Sequence, residues 1–478
     1  MHFNLVAHWF VLDNQAEAID PRILRVTHNM GVLEPCWLNA LSKRYLDSMS
    51  DRGWKILLVC IFALMCAWTL ETVVYKSSQG KTAFVRWMAH TDRLLRHEMI
   101  YSRGDSNQPQ EYPNLPTMAL VLVPFHALGA LPGSVAWWAF KCALVVVILA
   151  ATWKMLAAGG VPPGYRTIVA LLALSFNVFV LDLTHGNVNL LVGGLVAGGL
   201  VALMYKRDFT SGLAIGSAIV LKVTPVLFVL YLAWKRRWRA LIGVAAGLLM
   251  VGWILPGLLI GFHYTAMLTL EWYQQMIQPF LTGDRVGVLQ TSHINQSLTG
   301  LFHRLLTDSL AIEARPGTSW VAVKVNLLNL DKATVGLLLK GAYGVLVALI
   351  AWLARAPRRE PRHPAHLGEF ALVFLAMLLI SERSWKHHYV LLILAHAFIL
   401  RYFRDRKPTR VRLWLPAGLL GVSVVLHNVC TTTFLGGRWT YLAESYGVYV
   451  IGVIALFAAC GVILRWEVGP SQEKHAGM

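Results

Sequence analysis

Five apolar runs, near 54–74, 134–156, 239–260, 334–354 and 444–465, are each long enough to cross a bilayer core as helix, which takes ~20 residues. Shorter runs lie near 166–183, 187–205, 367–382, 387–402 and 412–428. Hydrocarbon offers no water to bare amides and carbonyls, so crossing segments must close their own hydrogen bonds, and here they do so as helices. The pattern predicts an all-α integral membrane protein with about 11–13 crossings. One membrane domain is expected over 54–466, between cytoplasmic tails at 1–53 and 467–478. Composition agrees: 14% of residues are charged, against about 25% in soluble domains. Residues Met1–Leu5 lack a basic start followed by a short apolar core, so no cleaved signal peptide is expected, and 37–50 reads as amphipathic.

A net charge of +18 raises the question of nucleic acid, and its placement answers it. Lys235, Arg236, Arg237 and Arg239 directly follow a span. Arg355, Arg358, Arg359 and Arg362 follow another, and Arg401, Arg404, Arg406, Lys407, Arg410 and Arg412 fill one short loop. Basic residues in short loops beside spans mark the cytoplasmic side and contact anionic lipid. Membrane lipid is the expected partner, not nucleic acid.

With Lys43, Arg44, Arg52 and Lys55 holding the start inside, loop 75–116 falls outside. Counting back from Lys206–Arg207, segment 117–132 begins and ends outside. It is short and marked by Pro116, Pro124 and Pro132, so it reads as an interfacial or re-entrant helix. The same parity makes 210–234 a helical hairpin bending at Leu221-Lys222-Val223-Thr224-Pro225. A lysine at that depth is tolerable only in a cavity.

This topology gathers unusual polar residues on the outer face. They include Arg86, Asp92, Glu98, Glu111, Tyr112, Asp182 to Asn189, Asn295–Gln296, and Ser381 to His388. Polar loops of roughly forty residues beside a bilayer tend to be functional. Carboxylates, cations and amides converging from separate segments suit an active site better than a pore. Cysteine adds little: Cys60, Cys66, Cys142 and Cys460 lie inside spans, Cys36 is in the tail, and no metal-ligand spacing occurs.

At these residues the chain resembles the GT-C class of polyprenol-phosphate-sugar glycosyltransferases, and most closely glycosyltransferase family 87. The matching points are Ala83-Phe84-Val85-Arg86-Trp87 leading to Ile100-Tyr101, Tyr112-Pro113-Asn114-Leu115-Pro116, Gly186-Asn187-Val188-Asn189, Leu221-Lys222-Val223-Thr224-Pro225, Asn295-Gln296-Ser297-Leu298 and Ser384-Trp385-Lys386-His387-His388. Ala83 stands where the family's first outer loop often starts with Asp, so the base must come from another outer carboxylate.

The resemblance implies a GT-C-like bundle with a long first extracytoplasmic loop, multi-pass in a bacterial plasma membrane, both termini cytoplasmic. It implies transfer of a hexose, usually mannose, from a polyprenyl-phosphate donor to a glycan, lipid or protein hydroxyl outside. A carboxylate takes the acceptor proton, and cations or amides meet the charge developing on the leaving phosphate. Asp182 is the first candidate base, with Glu98 and Asp92, on the amphipathic helix of the first loop, as the others. Lys222, Arg86 and Arg383 are candidates for the donor phosphate, with His387 and His388. Tyr112, Asn114, His185, Asn187, Asn189, Asn295, Gln296 and Trp385 are candidates for substrate contact.

Each has an ordinary alternative. Asp182 can cap the turn, Asp92 and Glu98 can form a solvated face, Glu382 can pair with Arg383, and Trp385 and Trp87 can be interfacial anchors. Adjacent histidines lack the i, i+4 spacing that chelates one ion, so no metal and no cofactor is expected. Gly193–Gly194 and Gly198–Gly199 lack a following Lys-Ser/Thr and read as close helix packing. A secondary transporter or flippase is the alternative class, but no second half repeats the first.

Overall fold

The computed structural model describes residues 49–101, 112–158, 162–279, 290–314, 321–355, 360–406 and 409–467. The chain divides at Trp54 into two units, and the second, Lys55–Met478, carries the candidate site. Glu111, Arg358, Arg359, Lys407, Cys36 and nearly all of the 37–50 stretch lie outside the described residues.

Among the described residues regular structure is helical, apart from one isolated antiparallel bridge between Ile312 and Val323. The first half holds α1 (Asp51–Ser78), α2 (Ala83–Leu95), α3 (Pro116–His126), α4 (Ala130–Ala157), α5 (Tyr165–Leu174), α6 (Phe176–His185), α7 (Asn189–Met204), α8 (Asp208–Leu221) and α9 (Leu227–Trp234). The second half holds α10 (Trp238–Ile260), α11 (Phe262–Trp272), α12 (Leu298–Leu306), α13 (Lys332–Leu353), α14 (Ala365–Ile380), α15 (Leu392–Arg406), α16 (Arg410–Val429), α17 (Thr432–Ser445) and α18 (Val448–Glu467).

Six helices (α1, α4, α10, α13, α16 and α18) are long and apolar enough to cross a membrane, and a seventh crossing results if the bent pair α5–α6 counts as one. The chain is an all-α, multi-pass integral membrane protein. Seven is fewer than the about 11–13 crossings expected, because α3, α7, α8 and α14 are apolar but shorter than the ~20 residues a full crossing takes. The innermost layer is α14, buried at every position from Ala365 to Leu379. By contrast only 17% of the apolar window of α1, α13 and α16 is buried, so their apolar faces meet lipid.

Several boundaries differ from the sequence expectation. The run 166–183 bends by 59° at Ser175. Partners from neighbouring helices make the break tolerable: Ser175 Oγ bonds His396 Nδ1 at 3.1 Å, and Asn177 donates to the His427 carbonyl at 2.6 Å. Pro132 belongs to the first turn of α4, where a missing N–H leaves no bond unmade. The run 412–428 is a full-length helix, Arg410–Val429, whereas 387–402 starts late, because Lys386–His388 forms a 3-10 turn before α15. Glu98 is not on the loop helix: α2 ends at Leu95, and His97 at φ 58° turns the chain away.

Helix α8 packs on α10 through two Gly-x-x-x-Gly pairs. A Cβ on Gly212 would lie 1.8 Å from the Ala240 carbonyl oxygen, one on Gly216 2.4 Å from that of Val244, and one on Gly243 2.2 Å from that of Phe209. The helices therefore touch backbone to backbone. This seam anchors the helix that ends at Lys222. Gly193 and Gly199 also meet neighbours closely, at 3.1 Å from Val390 Cγ2 and 3.0 Å from the Ser211 oxygen, while Gly198 faces open space.

Candidate active site

Helix α6 ends with Asp182-Leu183-Thr184-His185, and Gly186 caps it in the left-handed conformation at φ 76°. The turn presses on the start of α2: a Cβ on Gly186 would lie 3.4 Å from the Phe84 nitrogen and 3.6 Å from that of Ala83. Ala83, standing where the family pattern often has Asp, is thus buried beside this turn. Trp137 of α4 donates its indole N–H to the Gly186 carbonyl at 3.0 Å.

Hydrogen bonds fix the polar groups that follow. Asn187 Oδ1 accepts from the Val188 N–H at 2.7 Å, so its Nδ2 faces His387 Nε2 at 3.3 Å as donor. The Trp385 N–H donates to His388 Nδ1 at 3.3 Å, which assigns the proton of neutral His388 to Nε2. His185 stacks on His387 with centroids 3.9 Å apart, and Trp385 stacks on His388 at 6.1 Å. Burial, then the charge of Lys222, holds His388 well below the ordinary imidazole range; burial, then His185, does the same for His387. Both rings are neutral near pH 7.

Beneath this cluster lies a buried polar chain. Asp182 and Lys141 are both fully buried, with Asp182 Oδ2 3.0 Å from Lys141 Nζ. Lys141 also donates to the backbone carbonyl of Asp182. Asp182 Oδ1 accepts from Asn189 Nδ2 at 2.9 Å, and Asn189 Oδ1 accepts from Lys222 Nζ at 2.5 Å. Lys222 caps α8 at the predicted bend and is partly exposed. It opens on a small cavity whose polar lining is Asn189, Lys222, Thr224, Ser384 and His388. Phe374, Met377, Leu378, Val390 and Leu391 supply apolar lining.

The structure therefore brings His185, Asn187, Asn189, Lys222, Trp385, His387 and His388 together, with Asp182 behind them. Other candidates stand elsewhere or are engaged within the protein. Asp92 is 2.9 Å from His126, Arg86 and Glu98 are exposed, and Arg383 is half-buried next to Glu382. Tyr112 is buried against His90, and Tyr101 donates to the Asn114 carbonyl at 2.8 Å. Asn295 Nδ2 donates to the carbonyls of Gln290 and Glu382, both at 2.9 Å, while its Oδ1 accepts from the Ser384 N–H at 3.0 Å. Gln296 donates to the carbonyls of His293 and Glu444, at 2.6 and 2.7 Å. These two amides clamp loops together.

Four residues were passed over in the sequence. Lys141 carried a signal, since a lysine within an apolar helix has the same unusual standing as Lys222. His293 Nδ1 is 2.7 Å from Glu444 Oε2, and Lys386 Nζ is 2.6 Å from Glu444 Oε1. Arg304 is fully buried, with its guanidinium on the carbonyls of Thr291, Ser292, Asn295, Glu444 and Ser445 at 2.7–3.4 Å. Nothing in local sequence marks residues whose partners lie some 140 positions away. Among the described residues no group of three or more His, Cys, Asp or Glu is arranged to hold a metal ion.

Comparison with known proteins gives a consistent picture. A polyprenol-phosphate-mannose-dependent alpha-(1-2)-phosphatidylinositol pentamannoside mannosyltransferase of Mycolicibacterium smegmatis is 26% identical over 369 residues, covering 75% of this chain and 78% of that protein. The enzyme of the same description from Mycobacterium tuberculosis is 27% identical, over 84% of this chain and 86% of its own. Among solved structures, ArnT from Cupriavidus metallidurans bound to undecaprenyl phosphate is similar at a TM-score of 0.35 and 14% identity, covering 86% of this chain and 78% of that one. The model of glycosyltransferase family 87 matches residues 112–381, more than half of the chain. The chain belongs to glycosyltransferase family 87.

Proposed function

We propose that this protein moves a hexose, mannose as in its relatives, from a polyprenyl-phosphate donor to a glycolipid hydroxyl at the outer face of a bacterial plasma membrane. In this reading loop 75–116 and the 381–388 turn are extracytoplasmic, and both termini are cytoplasmic. The observation that supports it best is the Lys222 ammonium at a cavity with an apolar wall. A prenyl phosphate needs both: a cation for its head and apolar surface for its first isoprene units. Lys222, with His388 beside it in the lining, would meet the charge that develops on the leaving phosphate.

A general base must reach the proton it removes. Asp182 is sealed and bound to Lys141 and Asn189, so in this reading it acts through Asn189 and not on the acceptor. In this reading His293, on a loop beside the cavity, is the proton acceptor. Glu444 orients its ring through Nδ1, as carboxylates do for catalytic imidazoles, leaving Nε2 as the remaining nitrogen. The Asn295–Ser384 bond ties its loop to the cavity lining. Asp92 and Glu98 are the other candidate bases among the described residues.

Purified protein in proteoliposomes, supplied with polyprenyl-phosphate hexoses and a phosphatidylinositol mannoside, tests the reading. Release of polyprenyl phosphate with mannosylation of the glycolipid is expected. Transbilayer movement of the lipid without sugar transfer would overturn it. Among single variants, His293→Gln is expected to lower kcat by about 10²–10⁴-fold, the usual loss for a general base. A smaller effect there than in Asp92→Asn or Glu98→Gln would move the role to that carboxylate.

A further inference from the structure

Lys141, Asp182, Asn189 and Lys222 come from three helices and one helix break, yet they form a single file of contacts ending at the cavity. Its first member is fully buried and cannot meet substrate. Stability alone is a poor reason for that pair, since a buried ion pair is often no better than apolar residues of the same volume. The arrangement has a directional property that a structural ion pair does not need.

An amide side chain has two ends of nearly equal size and opposite hydrogen-bonding sense. Ionised Asp182 can only accept, so it takes the NH₂ of Asn189 at 2.9 Å and turns the amide oxygen toward Lys222 at 2.5 Å. With the amide reversed, its NH₂ would meet an ammonium, two donors face to face. A protonated Asp182 could donate, and would tolerate that reversed state. Lys141 biases that choice: its charge lies 3.0 Å from Asp182 Oδ2 and favours the acceptor-only form.

We infer that Lys141 and Asp182 are positioning residues for the donor site, fixing the Asn189 amide so that its oxygen holds the Lys222 ammonium at the cavity. This rests on the reading of Lys222 as a donor-phosphate ligand and extends it to residues that touch no substrate. Lysine has a long, flexible stem, and immobilising it in advance lowers the entropic cost of binding. The effect belongs in donor affinity, not in the chemical step.

Two paired substitutions separate this role from a structural one. Both Lys141→Met/Asp182→Asn and Lys141→Met/Asp182→Leu remove both buried charges, the first at similar volume and the second with a bulkier apolar group. Only the asparagine pair keeps an oxygen that can accept the Asn189 NH₂. Donor KM is expected to be about tenfold higher in the leucine pair than in the asparagine pair, the scale of one lost charge-coupled contact, with kcat equal between them. Were Asp182 the general base, kcat would fall in both pairs alike and donor KM would not separate them. Equal donor KM in the two pairs overturns the inference. If the leucine pair does not fold, Lys141→Met/Asp182→Ala gives the same contrast. Lys222→Met in the same assay distinguishes the two levels. Unchanged donor KM there removes the donor reading itself, while raised donor KM there with equal pairs removes only the positioning role.

Discussion

Replacing Lys222 with methionine keeps most of the side-chain length and removes the charge. Of the three ammonium donors one is engaged, by Asn189 Oδ1 at 2.5 Å, which leaves two for phosphate oxygens. A hydrogen bond to a charged group contributes about 1.5–3 kcal/mol. Two opposite charges 4 Å apart near a protein surface attract by about 4 kcal/mol before desolvation is subtracted. A net loss of about 2–3 kcal/mol in donor binding follows, or roughly 30–150-fold in Kd. Folding should change far less. The substitution strands the Asn189 oxygen, at about 1–3 kcal/mol, but removes a charge whose insertion is itself unfavourable by about 2.5–3.5 kcal/mol. The assay is titration of polyprenyl phosphate into nanodisc-embedded protein, with thermal unfolding of both forms in parallel. Unchanged affinity in a folded Lys222→Met protein would refute the reasoning, because no other described cation lines the cavity.

Cysteine-accessibility labelling should find positions 362 and 385 on opposite sides of the membrane, as the one-sided basic loops require; labelling on the same side sinks the topology. The neutral state of His388 gives a pH signature. Its folded pKa lies below the unfolded value of about 6.5, so the unfolded chain binds more protons as pH falls, and stability is lost below about that pH. Tm should therefore drop more between pH 7 and pH 5 in the native protein than in His388→Gln; parallel curves would show that His388 is not held neutral. Gly216→Ala places a methyl 2.4 Å from the Val244 oxygen, so α8 and α10 must separate. Overpacking of this kind is expected to destabilise by about 1–3 kcal/mol or more, read as a lower Tm with a raised donor KM, and an unchanged melt would deny the close contact.

The fold class was legible because bilayer crossing imposes one rule on every span. What escaped was set by partners distant in sequence. The break at Ser175 depends on His396 and His427, which no window around 166–183 contains. The α8–α10 seam was written in Gly212, Gly216, Gly243 and Gly247, but the more conspicuous glycines of α7 drew the packing argument. At the site, the His185–Asn189 turn, Lys222 and the Trp385–His388 turn stand out in the sequence as exceptional for an apolar chain, and the fold brings them together. Their division of labour was not legible. Whether an amide such as Asn295 faces substrate or clamps a loop depends on carbonyls at 290 and 382 that only the folded chain brings near. Asp182 was readable as an unusual carboxylate, while its burial against Lys141 was not.

The Arg304 knot carries a consequence for the order of assembly. Its guanidinium joins Thr291, Ser292 and Asn295 to Glu444 and Ser445, about 140 residues further along the chain. Spans are inserted from the N-terminus as they are made, so the Lys141–Asp182–Asn189–Lys222 file can form before Ser384 and His388 arrive to complete the cavity. The loop carrying His293 cannot settle so early, because its partner Glu444 lies about 150 residues further along the chain and emerges much later. A nascent chain would then hold one half of a glycosyltransferase, with Arg304 buried and unpaired or still exposed, until the final hairpin closes. Truncation within α17 should for that reason leave a membrane-inserted protein able to bind a prenyl phosphate and unable to transfer its sugar.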